Sequence, residues 1–154
     1  MTGSFRRMGR TLFSIASVAL LGWALMIFAP AWRVTRWLVR HELFPLFLVL
    51  LYAIGLFAIV FTGPSVRWNF GNVDNVLALL AREDVALVAW IHILAFDHLV
   101  GVVIFRDNAA YRYVPTVVQS LILFVTLFFG PLGYLIYYLS RLARGGARSR
   151  EARV

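Results

Sequence analysis

The sequence predicts an all-α integral membrane protein: a four-helix bundle with a short interfacial helix between its second and third spans. Three observations carry that expectation. Hydrophobic residues fill 62% of the 154 positions and charged residues only 14%, against about 25% charged in a soluble domain. Mean hydropathy is +0.82. Four apolar stretches, none containing an arginine, are long enough for a helix to cross the roughly 30 Å of hydrocarbon, which takes about 20 residues.

The first stretch, Leu12 to Phe28, follows Arg6, Arg7 and Arg10 and ends at Ala29-Pro30-Ala31. A secretory signal has a similar layout, but its apolar core is only about 7 to 15 residues, so this stretch is read as a span. The second runs from Leu43 to Thr62, the third from Val85 to Phe105 and the fourth from Val114 to Leu139. The loop between the second and third has turn signals at Gly63-Pro64, Asn69 and Gly71-Asn72. Within it Val73, Val76, Leu77 and Leu80 recur at helical spacing. That stripe predicts the interfacial helix, either a lid packed on the bundle or a gate over a lipid-facing site. The chain thus divides into a basic amino-terminal segment (1–11), a transmembrane domain (12–140) and an Arg/Gly/Ala/Ser-rich tail (141–154), expected to be disordered on anionic lipid.

Charge gives an orientation. In a four-pass chain one side collects 3 arginines before the first span, 2 in the second loop and 5 in the tail, 10 in all. The other side collects Arg33, Arg36, Arg40, Arg106 and Arg112, which is 5. The excess places both termini in the cytoplasm. Cysteine is absent, which excludes disulfides and thiol redox chemistry, and the absence of lysine excludes imine chemistry. A net charge of +8 spread over the ends of apolar segments fits lipid headgroups, and lacks the basic–aromatic interleaving of a nucleic-acid site. Three histidines without cysteine give no metal-ligand spacing, so no metal and no cofactor is expected. Membrane lipids, and a second copy of the chain, are the expected partners.

Chemistry concentrates in the third span, Trp90-Ile91-His92-Ile93-Leu94-Ala95-Phe96-Asp97-His98-Leu99-Val100-Gly101. Asp97 lies twelve residues into it, about 18 Å deep at 1.5 Å per residue. An ionised carboxylate there costs at least about 2.5 kcal/mol, so Asp97 is expected to face the interior, either as a functional group or as packing glue. At 100° per residue, Trp90, Asp97 and Gly101 share a face, while His92 lies 140° and His98 100° from Asp97. Gly101 would let another backbone approach the carboxylate. With the fourth span antiparallel to the third, Gln119 comes level with Val100 and Thr126 with His92, so Gln119 is the predicted hydrogen-bond partner of Asp97. Gly130-Pro131-Leu132-Gly133 should bend the fourth span, since Pro131 has no N–H for the carbonyl of Leu127. Glu83 and Asp84 suit the start of a helix and Arg106 its end, with Asp107 pairing to Arg106 or Arg112. Arg33 and Arg36 face a headgroup or the polar end of a substrate.

These residues carry a resemblance. Trp90-x-His92-x-Leu94-Ala95-Phe96-Asp97 with Gly101 and Asp107, then Phe129-Gly130-Pro131-Leu132-Gly133, together with Phe28-Ala29-Pro30, Trp32-Arg33, Thr35-Arg36 and Pro45, resemble the abscisic-acid-deficient-four-like family of membrane proteins over residues 20 to 140. The resemblance implies a four-helix membrane fold. Plant members act in forming neoxanthin from violaxanthin, an isomerisation that opens an epoxide and leaves an allene, and bacterial members are of undefined function. It therefore points to a bacterial cytoplasmic membrane and to a carotenoid or similar isoprenoid ligand. Asp97 as acid and His92 as base could supply the proton donor and acceptor, with Trp90, His98, Gly101, Gln119, Gly130, Pro131, Arg33 and Arg36 as binding residues. A non-catalytic assembly subunit and a small proton-coupled carrier are the alternatives.

Overall fold

In the computed structural model, residue 14, residues 18 to 62 and residues 69 to 151 are described. Among them are seven helices and no strand: α1 (Ala19–Phe28), α2 (Arg33–Arg40), α3 (Leu43–Thr62), α4 (Val73–Leu80), α5 (Glu83–Tyr111), α6 (Thr116–Phe128) and α7 (Gly130–Glu151). Most of the first predicted span before Ala19 lies outside the described residues. Two helices, α3 and α5, are long and apolar enough to cross a membrane; α1 and α6 are apolar but shorter. The chain forms two compact units, one holding Leu46–Ala95 and the other Ala19–Pro45 with Phe96–Val154.

In the first unit, Ile59, Leu79, Val85 and Val88 form a buried cluster against Tyr52 and Leu56. Gly55 lets α3 approach α5, since a Cβ there would lie 2.9 Å from Val88 Cγ2. The helix expected between the second and third spans is present as α4. Its N-cap is Asn72, whose side chain accepts from the Asn75 N–H at 2.8 Å. Asp74 sits in the first turn, at the positive end of the helix dipole. Its apolar stripe, however, does not pack on the chain as a lid would: Val73, Leu77 and Leu80 are exposed, and Leu79 makes the buried contact.

The second unit shows what the sequence reading missed. The first loop contains α2, with Thr35 and Val39 buried one turn apart and Arg33, Arg36 and Arg40 exposed. Glu42 follows in the left-handed region at φ 53° and pairs with Arg106.

The larger correction concerns the fourth span, read above as one bent crossing. It is a helical hairpin. Phe129, at φ −140° and ψ 65°, breaks the helix, and Pro131 cannot supply an N–H to rejoin it. The arms turn back so tightly that a Cβ on Gly133 would lie 2.7 Å from the Cα of Thr126. α6 runs antiparallel to α5, with Asn108 bonded to Gln119 and Asp97 against Gly130. α7 runs back parallel to α5, because the Tyr137 hydroxyl donates to Asp107 at 2.7 Å and Arg141 lies over the ring of Tyr113 at 5.4 Å. With 13 residues, α6 is about 20 Å long, too short to cross alone. The tail expected to be disordered continues α7 as helix to Glu151, consistent with the high helix propensity of its alanines and arginines.

Candidate functional site

The tip of the hairpin meets the midpoint of α5. Asp97 is fourteen residues from each end of that helix. A Cβ on Gly130 would lie 2.6 Å from the Asp97 carboxyl carbon and nearer still to its Oδ1, so only glycine leaves room for the carboxyl against the backbone. Gly130 is also the first residue of α7, and the unpaired N–H groups of a helix start carry a partial positive charge. The half-buried carboxyl of Asp97 is thereby set beside the start of a helix that begins inside an apolar hairpin. The break at Phe129 and the missing Pro131 donor are what place a helix terminus there.

This geometry replaces the expected pairing of Asp97 with Gln119. Gln119 is buried and its Oε1 accepts from Asn108 Nδ2 at 2.7 Å. The register that sets Asn108 opposite Gln119 carries Asp97, eleven residues back along α5, opposite Gly130, eleven residues on. The expected register was set by ending the third helix at Phe105. In fact α5 continues to Tyr111, and Asn108 holds the turn that follows, accepting from the Val114 N–H at 2.8 Å and donating to the Val114 carbonyl at 3.0 Å.

The other predicted residues separate. Gly101 accommodates a side chain rather than a backbone, since a Cβ there would lie 2.6 Å from Trp23 Cη2. His98 is 1% exposed. It packs edge-on to Trp23 at 5.0 Å and against Phe44 at 5.7 Å, over Gly22, where a Cβ would lie 2.6 Å from its Cε1. Its Nδ1 and the Thr35 hydroxyl have no hydrogen-bond partner among the described residues. Both residues line the same small cavity, of about 10 Å³. His98 thus joins α1 to α5, away from the hairpin. Trp90 and His92 belong to the unit holding Leu46–Ala95. Both are exposed, and the His92 ring lies 5.0 Å from that of Tyr52. Of the first-loop arginines, Arg33 is exposed on α2, and Arg36 lines a cavity at the end of α5.

Asp107 does not pair with Arg106 or Arg112. It accepts from Tyr137 and lies 3.5 Å from Arg141, and the carboxylate raises the Arg141 guanidinium above its ordinary range. Sequence reasoning passes over Asn108, Tyr137 and Arg144, and takes Arg112 only as a topology charge and a partner for Asp107. Pro115, the N-cap of α6, was the available signal: it puts the turn at 112 to 115 and so moves the register along α5 by eight residues, from Val100 to Asn108 opposite Gln119. Among the described residues no three His, Cys, Asp or Glu side chains gather as metal ligands.

The described residues are helical throughout their regular structure, with two helices long and apolar enough to cross a membrane and an acidic side chain midway along one of them. The ABA DEFICIENT 4-like family matches residues 11–137. The chain belongs to that family. No curated protein and no solved structure matches it.

Proposed function

We propose that this is an integral membrane protein in which α3, α5 and the sequence-predicted first span that ends as α1 cross the bilayer, and α6–α7 re-enters it as a hairpin. Support comes from exposed apolar side chains, including Phe28, Phe61 and Val117 at 81%, 73% and 72%. Within the apolar windows of α3 and α5 only 28% and 39% is buried, whereas the core helix of a water-soluble fold would be mostly buried. The hairpin also moves the tail to the face of the first and third loops. That face then holds Arg33, Arg36, Arg40, Arg106, Arg112 and the 5 tail arginines, 10 in all, against 5 on the other. Orientation by arginine bias is reversed at the amino terminus: the first loop and the tail are cytoplasmic, and the amino-terminal end is not.

Within that frame the protein binds an isoprenoid-type lipid against α5 and the hairpin, and Asp97 is the proton donor to it. The carrying observation is the carboxyl of Asp97 held against Gly130 where α7 begins; broken helices with termini at mid-membrane are recurrent places for bound substrates. Family membership supports a carotenoid-related assignment. Isomerisation of such a molecule delivers one proton and removes another, leaving its composition unchanged, which a single carboxyl in a dry site can serve. His92 is not needed as the base: it lies on another side of α5, with its ring tilted against that of Tyr52. The test is organic extraction of protein purified from its own membrane, with mass identification of the lipid. An isoprenoid is expected in both wild type and Asp97→Asn, with conversion lost in the variant. Bulk phospholipid alone refutes the binding, and full conversion by Asp97→Asn refutes the assignment of the donor.

A further inference from the structure

We infer that a second site, at the end of α5 remote from Asp97, binds a phosphate or diphosphate group. A cavity of about 510 Å³ lies there, lined by Arg36 of α2, Asn108 of α5, Arg112 of the turn, Thr116 and Gln119 of α6 and Arg144 of α7, and no acidic residue lines it. The size suits a headgroup or small metabolite rather than a single water. Three guanidinium groups drawn from two helices and a turn repel one another around one hollow, and an anion removes that repulsion.

The acidic residues at this end are committed elsewhere. Glu42 pairs with Arg106, and Asp107 takes Tyr137 and Arg141. Arg36, Arg112 and Arg144 have no carboxylate partner among the described residues. Gln119 is 5% exposed. Its Oε1 is taken by Asn108, its Nε2 has no hydrogen bond among the described residues, and the residue lines the cavity. The start of α6 adds backbone donors, for Thr116 opens that helix and no side chain caps it; helix starts of this kind accept anions.

Arg112 strengthens the assignment. It stands at φ 52° with its N–H on the Asn108 carbonyl at 2.8 Å, the helix-ending position where glycine is usual. A strained arginine there is accounted for if its side chain has a ligand to hold. Planar guanidinium forks match carboxylate and phosphate oxygens alike in pairs, but three of them around one hollow favour the group with more charge and more oxygens, a phosphate or diphosphate. The group could arrive on a lipid or as a soluble compound, and its recognition would be the same.

The experiment uses full-length protein in neutral-detergent micelles, titrated with inorganic pyrophosphate and, separately, with micelles carrying phosphatidylglycerol. Binding is read by calorimetry and by native mass spectrometry. Wild type should bind at least one of the two. Pyrophosphate binding identifies a soluble source, and retention of phosphatidylglycerol alone identifies a headgroup. Arg36→Gln and Arg144→Gln should each weaken binding about tenfold, as expected for loss of one charge-assisted contact, while Arg40→Gln, on α2 but not lining the cavity, should leave it unchanged. No binding of either probe overturns the proposal, and so does equal weakening by Arg40→Gln, which would mean diffuse surface charge. The readout does not involve Asp97, so failure of the isoprenoid reading leaves this site standing, and the reverse.

Discussion

Replacing Tyr113 and Arg141 by cysteine, in a chain that has no cysteine of its own, tests the hairpin directly. If residues 114 to 139 crossed the bilayer as one helix, Arg141 would stand twenty-five residues beyond Thr116, about 37 Å away along the axis and on the opposite face. In the hairpin the Arg141 guanidinium is 5.4 Å from the Tyr113 ring and 3.5 Å from Asp107. Loss of the exposed cation–π contact costs about 0.5–1 kcal/mol, too little to unfold the protein. The expected result in sealed membrane vesicles is that both thiols react with an impermeant maleimide from the same face. A short thiol–thiol crosslinker should then join them within one chain, read as a mass shift of the intact protein. Thiols that label from opposite faces and refuse the crosslinker would refute the hairpin, and with it the reversed orientation and the placement of Gly130 at Asp97.

Gly130→Ala should lower thermal stability by about 1–3 kcal/mol through overpacking against Asp97, and Asp97→Ala in the same chain should restore most of it; additive losses would disprove the contact. Asn108→Leu strips three hydrogen bonds from Val114 and Gln119 and should cost about 2–4 kcal/mol by leaving buried groups unpaired, measured by denaturant midpoint in detergent. Thr35→Val, which removes a buried hydroxyl without a partner among the described residues, should be neutral or stabilising by up to about 1 kcal/mol; a clear loss in melting temperature would mean the hydroxyl is satisfied. Arg112→Gly should raise stability by about 1 kcal/mol by relieving the left-handed arginine while weakening anion binding, and a variant that moves both quantities together would contradict the assigned role.

The sequence made some of this architecture readable and concealed the rest for identifiable reasons. The bounds of α3, Leu43 to Thr62, follow from composition because nothing polar interrupts the run. α4 was legible from its spacing, although spacing alone left open whether the stripe packs as a lid or faces lipid, and most of it faces outward. The hairpin was hidden because the residues from Val114 to Leu139 are apolar on both arms, and hydropathy reports length without direction. Gly130-Pro131 marked a bend, but whether a bend is slight or a full reversal depends on Gly133 fitting against Thr126, a tertiary fact. Asp97 was legible as an isolated acid in an apolar helix. Its neighbour was not, since an error of about two turns in where α5 ends moves every predicted partner along α6. α2 was missed because three tightly spaced arginines read as loop charge, although Thr35 and Val39 recur at one-turn spacing beneath them.

The bond from Ser120 to the Ile27 carbonyl, 2.7 Å long, joins positions 93 residues apart. For a nascent chain this means that α1 emerges long before α6, the element it packs on, exists. On the proposed membrane reading, the apolar part of each hairpin arm is too short to insert as a span of its own, so entry of the hairpin into the bilayer would wait on a cradle already formed by the earliest and the longest helices. Removing the amino-terminal helix should therefore leave the last quarter of the chain stranded outside the lipid, a defect of biogenesis rather than of chemistry.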